Sequence, residues 1–460
     1  MRSRRASGAL AARCGIGAAL LLSLATLAHA HGPPRGRGLI VDGDLIIVNI
    51  ERGLVISTDG GQRWDLHCGM AIGVNSSEQA PMRLLSDKRL MLATSRGVQH
   101  SSLDYCDFTV LDSPDATTLV MAAHPTEPLT SLVSTTSEPL QGLYRTGDEG
   151  TSFERIGELP EFAFLANGMA YAPSDGTRVY APANGANSDQ TGVAYFMAVS
   201  SDGGATFAFN EVAIDADQAG LNLLGVHPTD AQTVMLRRIG RELMREDELL
   251  ISNDGGQSFS VRMQAEAILA LAVKPDGSRM LVGNAEGLFR SDDGGQSFEQ
   301  VVAERSVSCL HYEGERLWVC LEPIDAIGFA GLSRSDDDGD TLEPVMVFDE
   351  VDEPPACAAG TAVAESCDVT WEDWYRELVM PPTQDGGTNG GTDAGADDDA
   401  GAPPRPDAAT GQDAGASGSG DDGSGGCGCS VPGTRGGHAS ALLIAMALLA
   451  SARFLRRRRR

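Results

Sequence analysis

The chain has 460 residues and carries 64 acidic against 35 basic groups, a formal charge of −29. A surface of that sign repels DNA, RNA and anionic lipid, so nucleic-acid work is excluded and any membrane contact is expected only through a terminal segment. The length is ample for one large core.

Residues 1–30 read as a secretory signal peptide. Arg2, Arg4, Arg5 and Arg13 precede an apolar stretch at Ile16–Leu27, and Ala28-His29-Ala30 offers the small-x-small cleavage pattern. A retained anchor is the rival reading, and the apolar stretch is short for a span.

From residue 38 to about 350 the chain repeats itself. The pattern at Ser291-Asp292-Asp293-Gly294-Gly295-Gln296-Ser297-Phe298 returns at Ser57–Trp64, Thr146–Phe153, Ser200–Phe207, Ser252–Phe259 and Ser335–Leu342. A worn copy is expected at Ser101–Phe108, with Leu103 in place of the Asp. Counting it, successive copies start 44, 45, 54, 52, 39 and 44 residues apart. Periods of this size mark propellers or solenoids. Each unit reads as four short strands; in the sixth these are Leu271–Lys274, Arg279–Gly283, Gly287–Ser291 and Phe298–Val302. A four-stranded sheet with two apolar faces needs a neighbour on each side. The expected fold is therefore all-β: a seven-bladed β-propeller of four-stranded antiparallel blades. No unit is split between the termini, so ring closure is expected to rest on packing and on the segment that follows. Insertions are expected in the fourth unit at Asn184–Thr191 and in the fifth at Arg238–Glu246, and loops on one rim are the expected place for a binding site.

The repeated turn has a local logic. Its Asp can accept hydrogen bonds from the amides of its own turn, and the Ser hydroxyl can brace the same loop. The second Gly suits a positive φ. The closing aromatic (Trp64, Phe153, Phe207, Phe259 or Phe298) is expected to plug the core. The aspartates so placed are Asp59, Asp148, Asp202, Asp254, Asp293 and Asp337. The pattern S-x-D-x-G-x-T/S-W/F resembles the Asp box, or BNR repeat, of sialidases, sortilin-type receptors and photosystem assembly factors. Thr146 replaces Ser in one copy and Leu342 replaces the aromatic in another. Six copies in register speak for fold, whereas the box is structural across proteins of very different activity.

Cys68, Cys106, Cys309, Cys320, Cys357 and Cys367 form an even set in an exported chain, which argues for disulfides. Chain order favours Cys68–Cys106 between adjacent sheets, Cys309–Cys320 across a hairpin and Cys357–Cys367 in the tail. No CxxC lies in this region and histidines are few, so neither a metal nor a cofactor is expected. Residues 353–380 are read as a small disulfide-bonded appendix, with helical turns at Trp371–Val379 and with Trp371, Trp374 and Tyr375 packed on the last blade. Residues 381–426 are Gly-, Ala- and Asp-rich and are expected to be a disordered acidic stalk.

Residues 427–460 end the chain with Cys427-Gly428-Cys429, the apolar run Ala439–Ala452 and Arg456–Arg460. An ordinary short anchor with a positive stop is one reading. The order also resembles the MYXO-CTERM sorting tail of myxobacteria. That resemblance implies cleavage near Cys427 or Cys429, modification of one of them, and retention at the outer cell surface by export and sorting machinery. Without residues 1–30 and 436–460 the formal charge falls from −29 to about −39, through the loss of ten basic groups.

Three roles compete. The sialidase resemblance implies an arginine cluster, a Tyr/Glu pair and an acid Asp at the propeller centre. Tyr144, Tyr171, Tyr180, Tyr195 and Tyr312 are available, but Arg52, Arg96, Arg145, Arg290 and Arg334 flank the outer hairpins and the Arg-Ile-Pro-type opening segment is missing. The sortilin and assembly-factor resemblances imply ligand capture and protein binding. The reading favoured is a surface-tethered module that binds an extracellular protein or glycan; glycoside hydrolysis and a passive envelope role are the alternatives. His124-Pro125 and His227-Pro228 are read as turns, not metal ligands.

Overall fold

Short strands joined by tight turns that carry Gly, Asp or Pro pair most readily with their sequence neighbours. In the computed structural model they do so seven times. It describes residues 36–371, apart from 75–79, 115, 137–140, 158–162, 166, 187–191, 242–245, 323–329 and 368–370. Seven antiparallel sheets, each of consecutive strands, form a seven-bladed propeller. The first strand of each blade is innermost. In blade 5 the order outward is Gln218–Val226, Val234–Gly240, Asp247–Ser252 and Ser260–Ala265. The middle strands carry the core: every residue of Leu90–Thr94, Ser131–Thr135 and Met280–Asn284 is buried. Apolar clusters fill the spaces between successive blades, which is why no blade is stable alone.

Blade 4 departs from the four-stranded expectation. Its second strand extends to twelve residues, Asp175–Ala186, and pairs along the inner side first with Ala170–Ala172 and then with an extra strand, Ala163–Leu165. The start of the expected insertion at Asn184 is therefore strand. The same holds in blade 5, where Arg238–Gly240 continue the second strand.

The six acidic hairpins share one set of bonds. The first hydroxyl donates to the Asp Oδ1 at 2.7–3.0 Å and accepts the amide of the residue four further on, as Ser252 does from Gly256 at 2.8 Å. The Asp Oδ1 accepts the amide of the residue four beyond it, and Oδ2 takes that residue's hydroxyl in five of the six. These bonds, led by the Ser258 and Thr341 hydroxyls, hold Asp254 and Asp337 down at about 2. The second glycine has a further role. It sits at positive φ, and its bare Cα faces the preceding blade: a Cβ at Gly204 would stand 2.9 Å from Leu132 Cδ1, and one at Gly339 2.6 Å from Leu288 Cδ2.

The worn copy in blade 2 is displaced by one residue. Ser102, not Ser101, donates to an Asp, and that Asp is Asp104, at 2.6 Å. Ser101 turns inward to accept the Leu90 amide. Leu103 is left exposed at the tip.

Ring closure uses no shared blade. Ile46, Val48, Trp64 and Leu66 of blade 1 pack with Trp318, Leu332 and Met346 of blade 7. Beyond blade 7, the chain crosses to blade 1, where Asp352 forms a parallel bridge with Asp65 and its amide donates to the Trp64 carbonyl at 2.7 Å. It then reaches blade 2, where the Val363 amide donates to the Cys106 carbonyl at 3.1 Å. This path corrects two expected disulfides. The bonds are Cys68–Cys367 and Cys106–Cys357, spanning 299 and 251 residues, because the segment lies across the outside of blades 1 and 2 and each blade cysteine meets it rather than its neighbour. Val363 and Cys367 complete the apolar cluster between those blades. Cys309–Cys320 joins cross-strand partners of blade 7. Residues 362–367 form a helical segment ahead of the expected one, and Trp371 packs against the seam between blades 7 and 1. Residues 372–379, with Trp374 and Tyr375, the stalk, Cys427 and Cys429 lie outside the described residues. Among the described residues no helix is long and apolar enough to cross a membrane.

Candidate functional site

The first strand of blade 1, Gly36–Asp42, sets the geometry of the channel. Its far end turns at Asp44, whose carbonyl accepts the Gly60 amide from the acidic hairpin. Its near end, at Arg37, lies at the opposite mouth. All six hairpin aspartates thus belong to one end of the propeller, and a cavity of about 810 Å³ occupies the other. Blades 1, 2, 4, 5, 6 and 7 contribute to its described lining.

Backbone irregularity shapes this mouth. Among the described residues the innermost strands of blades 1, 3, 5 and 7 carry β-bulges, and in three of these blades an extra residue lines the cavity: Arg37 in blade 1, Leu224 in blade 5 and Ser308 in blade 7. A bulge rotates one side chain out of the alternation of its strand, so these three residues are aimed where regular pairing would not place them. The Cys309–Cys320 disulfide fixes the strand edge beside Ser308. Gly36 packs directly on Cys320, which ties blade 1 to the same point.

The walls mix aliphatic side chains, among them Leu39, Ile40, Met82, Leu223, Leu271 and Leu310, with nearly as much polar surface. Arg37 is paired with Glu51 at 2.5 Å. Arg237, the cross-strand partner of Asn222, is paired with Asp247 at 2.6 Å. Asp247 is 4% exposed and also accepts the amides of Gly240 and Ile268, both at 2.9 Å. Beside it Glu248, 1% exposed, receives Arg238, Gln218 and Gln264. This buried network locks the orientation of Arg237. Asn49 and Asn167 donate to the carbonyls of Ala80 and Leu221. Two lining atoms are buried without a partner among the described residues: Arg237 Nε and Ser308 Oγ. A buried donor left unpaired costs about 1–3 kcal/mol.

The described lining contains no carboxylate, imidazole or phenol. It therefore holds no pair of groups for general acid–base or nucleophilic work. The candidate tyrosines are dispersed. The hydroxyls of Tyr180 and Tyr195 donate to the carbonyls of Ala231 and Ala219, and that of Tyr312 donates to Asp338 at 2.7 Å. Burial, and then the Asp338 bond, push the Tyr312 phenol far up. Of the outer arginines, Arg145, Arg290 and Arg334 pair across the strand with Glu154, Glu299 and Glu343. His124 Nδ1 accepts the amides of Thr126 and Glu127, and His227 Nδ1 that of Thr229, so both histidines brace turns.

The aspartates and cysteines singled out by sequence do not meet in this cavity, with the exception of Cys309 on its wall. Arg37, Asn222, Arg237 and Ser308 were missed. Arg37 precedes the expected first strand, and no residue pattern announces a bulge.

No family model matches the sequence, and no curated protein matches it. Solved structures do. The extracellular domain of a putative hybrid two-component system from B. thetaiotaomicron matches with TM-score 0.45 and 14% identity, over 66% of this chain and 38% of that one. An ancestral GH74 enzyme matches with TM-score 0.49 and 11% identity, over 68% and 46%. YCF48 from Cyanidioschyzon merolae matches with TM-score 0.42 and 11% identity, over 63% and 94%. The chain thus spans less than half the length of the first two. These are likenesses of fold.

Proposed function

We propose that the chain is an exported binding module, held at the outer cell surface by its C-terminal region, which captures an extracellular ligand in the cavity opposite the acidic hairpins. One observation carries this reading: a cavity of about 810 Å³ of mixed aliphatic and polar wall, with buried, unpaired donors and no acid–base pair in its described lining. The signal-like residues 1–30, the disulfides and the tail at residues 427–460 support export and tethering. Hydrolysis is the weaker reading, because no described carboxylate borders the cavity.

The test fills the mouth. The full chain and the variants Leu310→Trp and Leu271→Trp are applied to arrays of glycans and of secreted proteins. Binding by the wild type that both folded variants lose supports the reading. Binding that survives both fillings, or turnover of a chromogenic glycoside, overturns it. For the tail, the intact mass of surface-extracted protein is decisive: material that still carries Arg456–Arg460 contradicts processing.

A further inference from the structure

Resting on that reading, we infer that the ligand of the mouth is an extended peptide segment of neutral or basic character, which presents an aliphatic side chain to the cavity and its main-chain carbonyls to Arg237 and Ser308.

Four observations converge. The described wall has no aromatic ring, so it lacks the flat apolar face on which a sugar stacks, whereas Leu39, Ile40, Leu223 and Leu310 suit an aliphatic side chain. The unpaired atoms are a guanidinium N–H and a hydroxyl, and both call for oxygen acceptors. The Arg237 charge is already neutralised by Asp247, which removes the advantage of an anionic ligand over a neutral carbonyl. The whole-chain balance of 64 acidic to 35 basic groups disfavours an acidic partner further.

The wall also supplies main chain. It includes consecutive residues of innermost strands: Arg37 to Ile40, Asn222 to Leu224, Leu269 to Leu271 and Ser308 to Leu310. These strands are the inner edges of their sheets; in blade 5 Asn167 already takes part of that edge, its carbonyl accepting the Leu223 amide at 2.9 Å and its Nδ2 donating to the Leu221 carbonyl at 3.1 Å, so added pairing is expected at blades 1, 6 and 7. A peptide can add to such an edge, its affinity coming from main-chain bonds and its selectivity from the side chain that enters the cavity. The bulges at Arg37, Leu224 and Ser308 interrupt those edges, which limits pairing to a short segment.

The experiment pans a random peptide display library on the full chain, then measures the enriched peptides against Ser308→Ala, Arg237→Lys and Leu310→Trp. Arg237→Lys keeps a cation for Asp247 and deletes the Nε donor. The expected result is enrichment of peptides with an aliphatic centre and no acidic bias, weakened about tenfold by Ser308→Ala and by Arg237→Lys and abolished by Leu310→Trp. Failure to enrich, acidic consensus sequences, or affinity unchanged in the three folded variants overturns the inference. Glycan binding that Leu310→Trp removes, with no peptide enriched, overturns the inference while leaving the binding reading intact.

Discussion

At the hairpin end of the blades, six aspartates repeat one bonding pattern, with hydroxyl-to-carboxylate distances of 2.7–3.0 Å throughout. At the opposite mouth the backbone repeats in part, with a bulge at the second residue of the innermost strand in blades 1, 3, 5 and 7, but the side chains presented there differ from blade to blade. Blade 1 offers a bulged arginine, blade 5 a bulged leucine beside a buried ion-pair network, and blade 7 a bulged serine beside a disulfide. The same strands run between both ends. Repetition with every polar group satisfied internally is the mark of a structural element, and divergence with donors left over is the mark of a surface shaped for something else. Substitutions at the first end should therefore act on stability and those at the second on binding.

The segment that straps the ring offers the largest test. Removing both Cys68–Cys367 and Cys106–Cys357 by Cys367→Ser and Cys357→Ser should cost about 2–5 kcal/mol per bond, read by denaturant unfolding. The loss should fall on blades 1 and 2 first, because Val363 and Cys367 leave the cluster that fills their interface. Hydrogen exchange that rises evenly around the ring would contradict a local strap.

Acid should loosen the same region. His67 is 2% exposed, its Nδ1 lies 3.0 Å from the Tyr105 carbonyl, and burial pulls its pKa from 6.5 to about 4. The folded chain thus binds fewer protons there than the unfolded chain between those values. The His67 contribution is fully present above about pH 6.5 and is lost as pH falls toward 4, by about 3 kcal/mol in all. His100 and His311 are lowered too, chiefly by burial, so each adds a loss that begins as pH falls through about 6.5. The hairpin aspartates, being depressed, keep their contribution until pH falls below 4. His67→Gln should flatten the slope between pH 6.5 and 4 and leave the drop below 4 unchanged; an unaltered upper slope would show that His67 is not its source.

At the hairpin end itself, Gly204→Ala forces a side chain into positive φ against Leu132 and Leu143, both 2.9 Å from the new Cβ. The expected loss is about 2–4 kcal/mol, seen as a lower unfolding midpoint with ligand affinity unchanged in the folded fraction. Asp293→Ala should act in the same direction and more weakly, since it removes bonds from the Gln296 and Ser297 amides and the Ser291 and Ser297 hydroxyls without opening the seam between blades.

How much of this is legible in the sequence follows from what each feature depends on. The hairpins need particular side chains at fixed spacing, so Ser291, Asp293 and Gly295 announce both the turn and, through their period, the seven blades. The extra inner strand of blade 4 depends on pairing that Ala163–Leu165 shares with no other repeat. The register of the worn copy turned on a choice between two adjacent serines, Ser101 and Ser102, and only the bonds settle it. The disulfides depend on where residues 352–367 run in space, which chain order cannot supply. The mouth is the least legible part. A bulge is a backbone event with no residue requirement in these strands, so Arg37, Leu224 and Ser308 read as ordinary strand or flanking residues.

The smallest expected stability effect is at that mouth. Ser308→Ala deletes a hydroxyl that is 8% exposed and has no partner among the described residues. Removing a buried polar group that makes no bond costs nothing in lost bonding and relieves its desolvation, so stability should stay level or rise slightly. If the hydroxyl were there for the fold, the change would instead lower the unfolding midpoint, as Gly204→Ala does at the other end. Retained or increased stability together with weakened ligand binding is the signature of a group kept for its ligand at a standing cost to the protein, and the thermal unfolding of this one variant, measured with and without an enriched peptide, reads both terms at once.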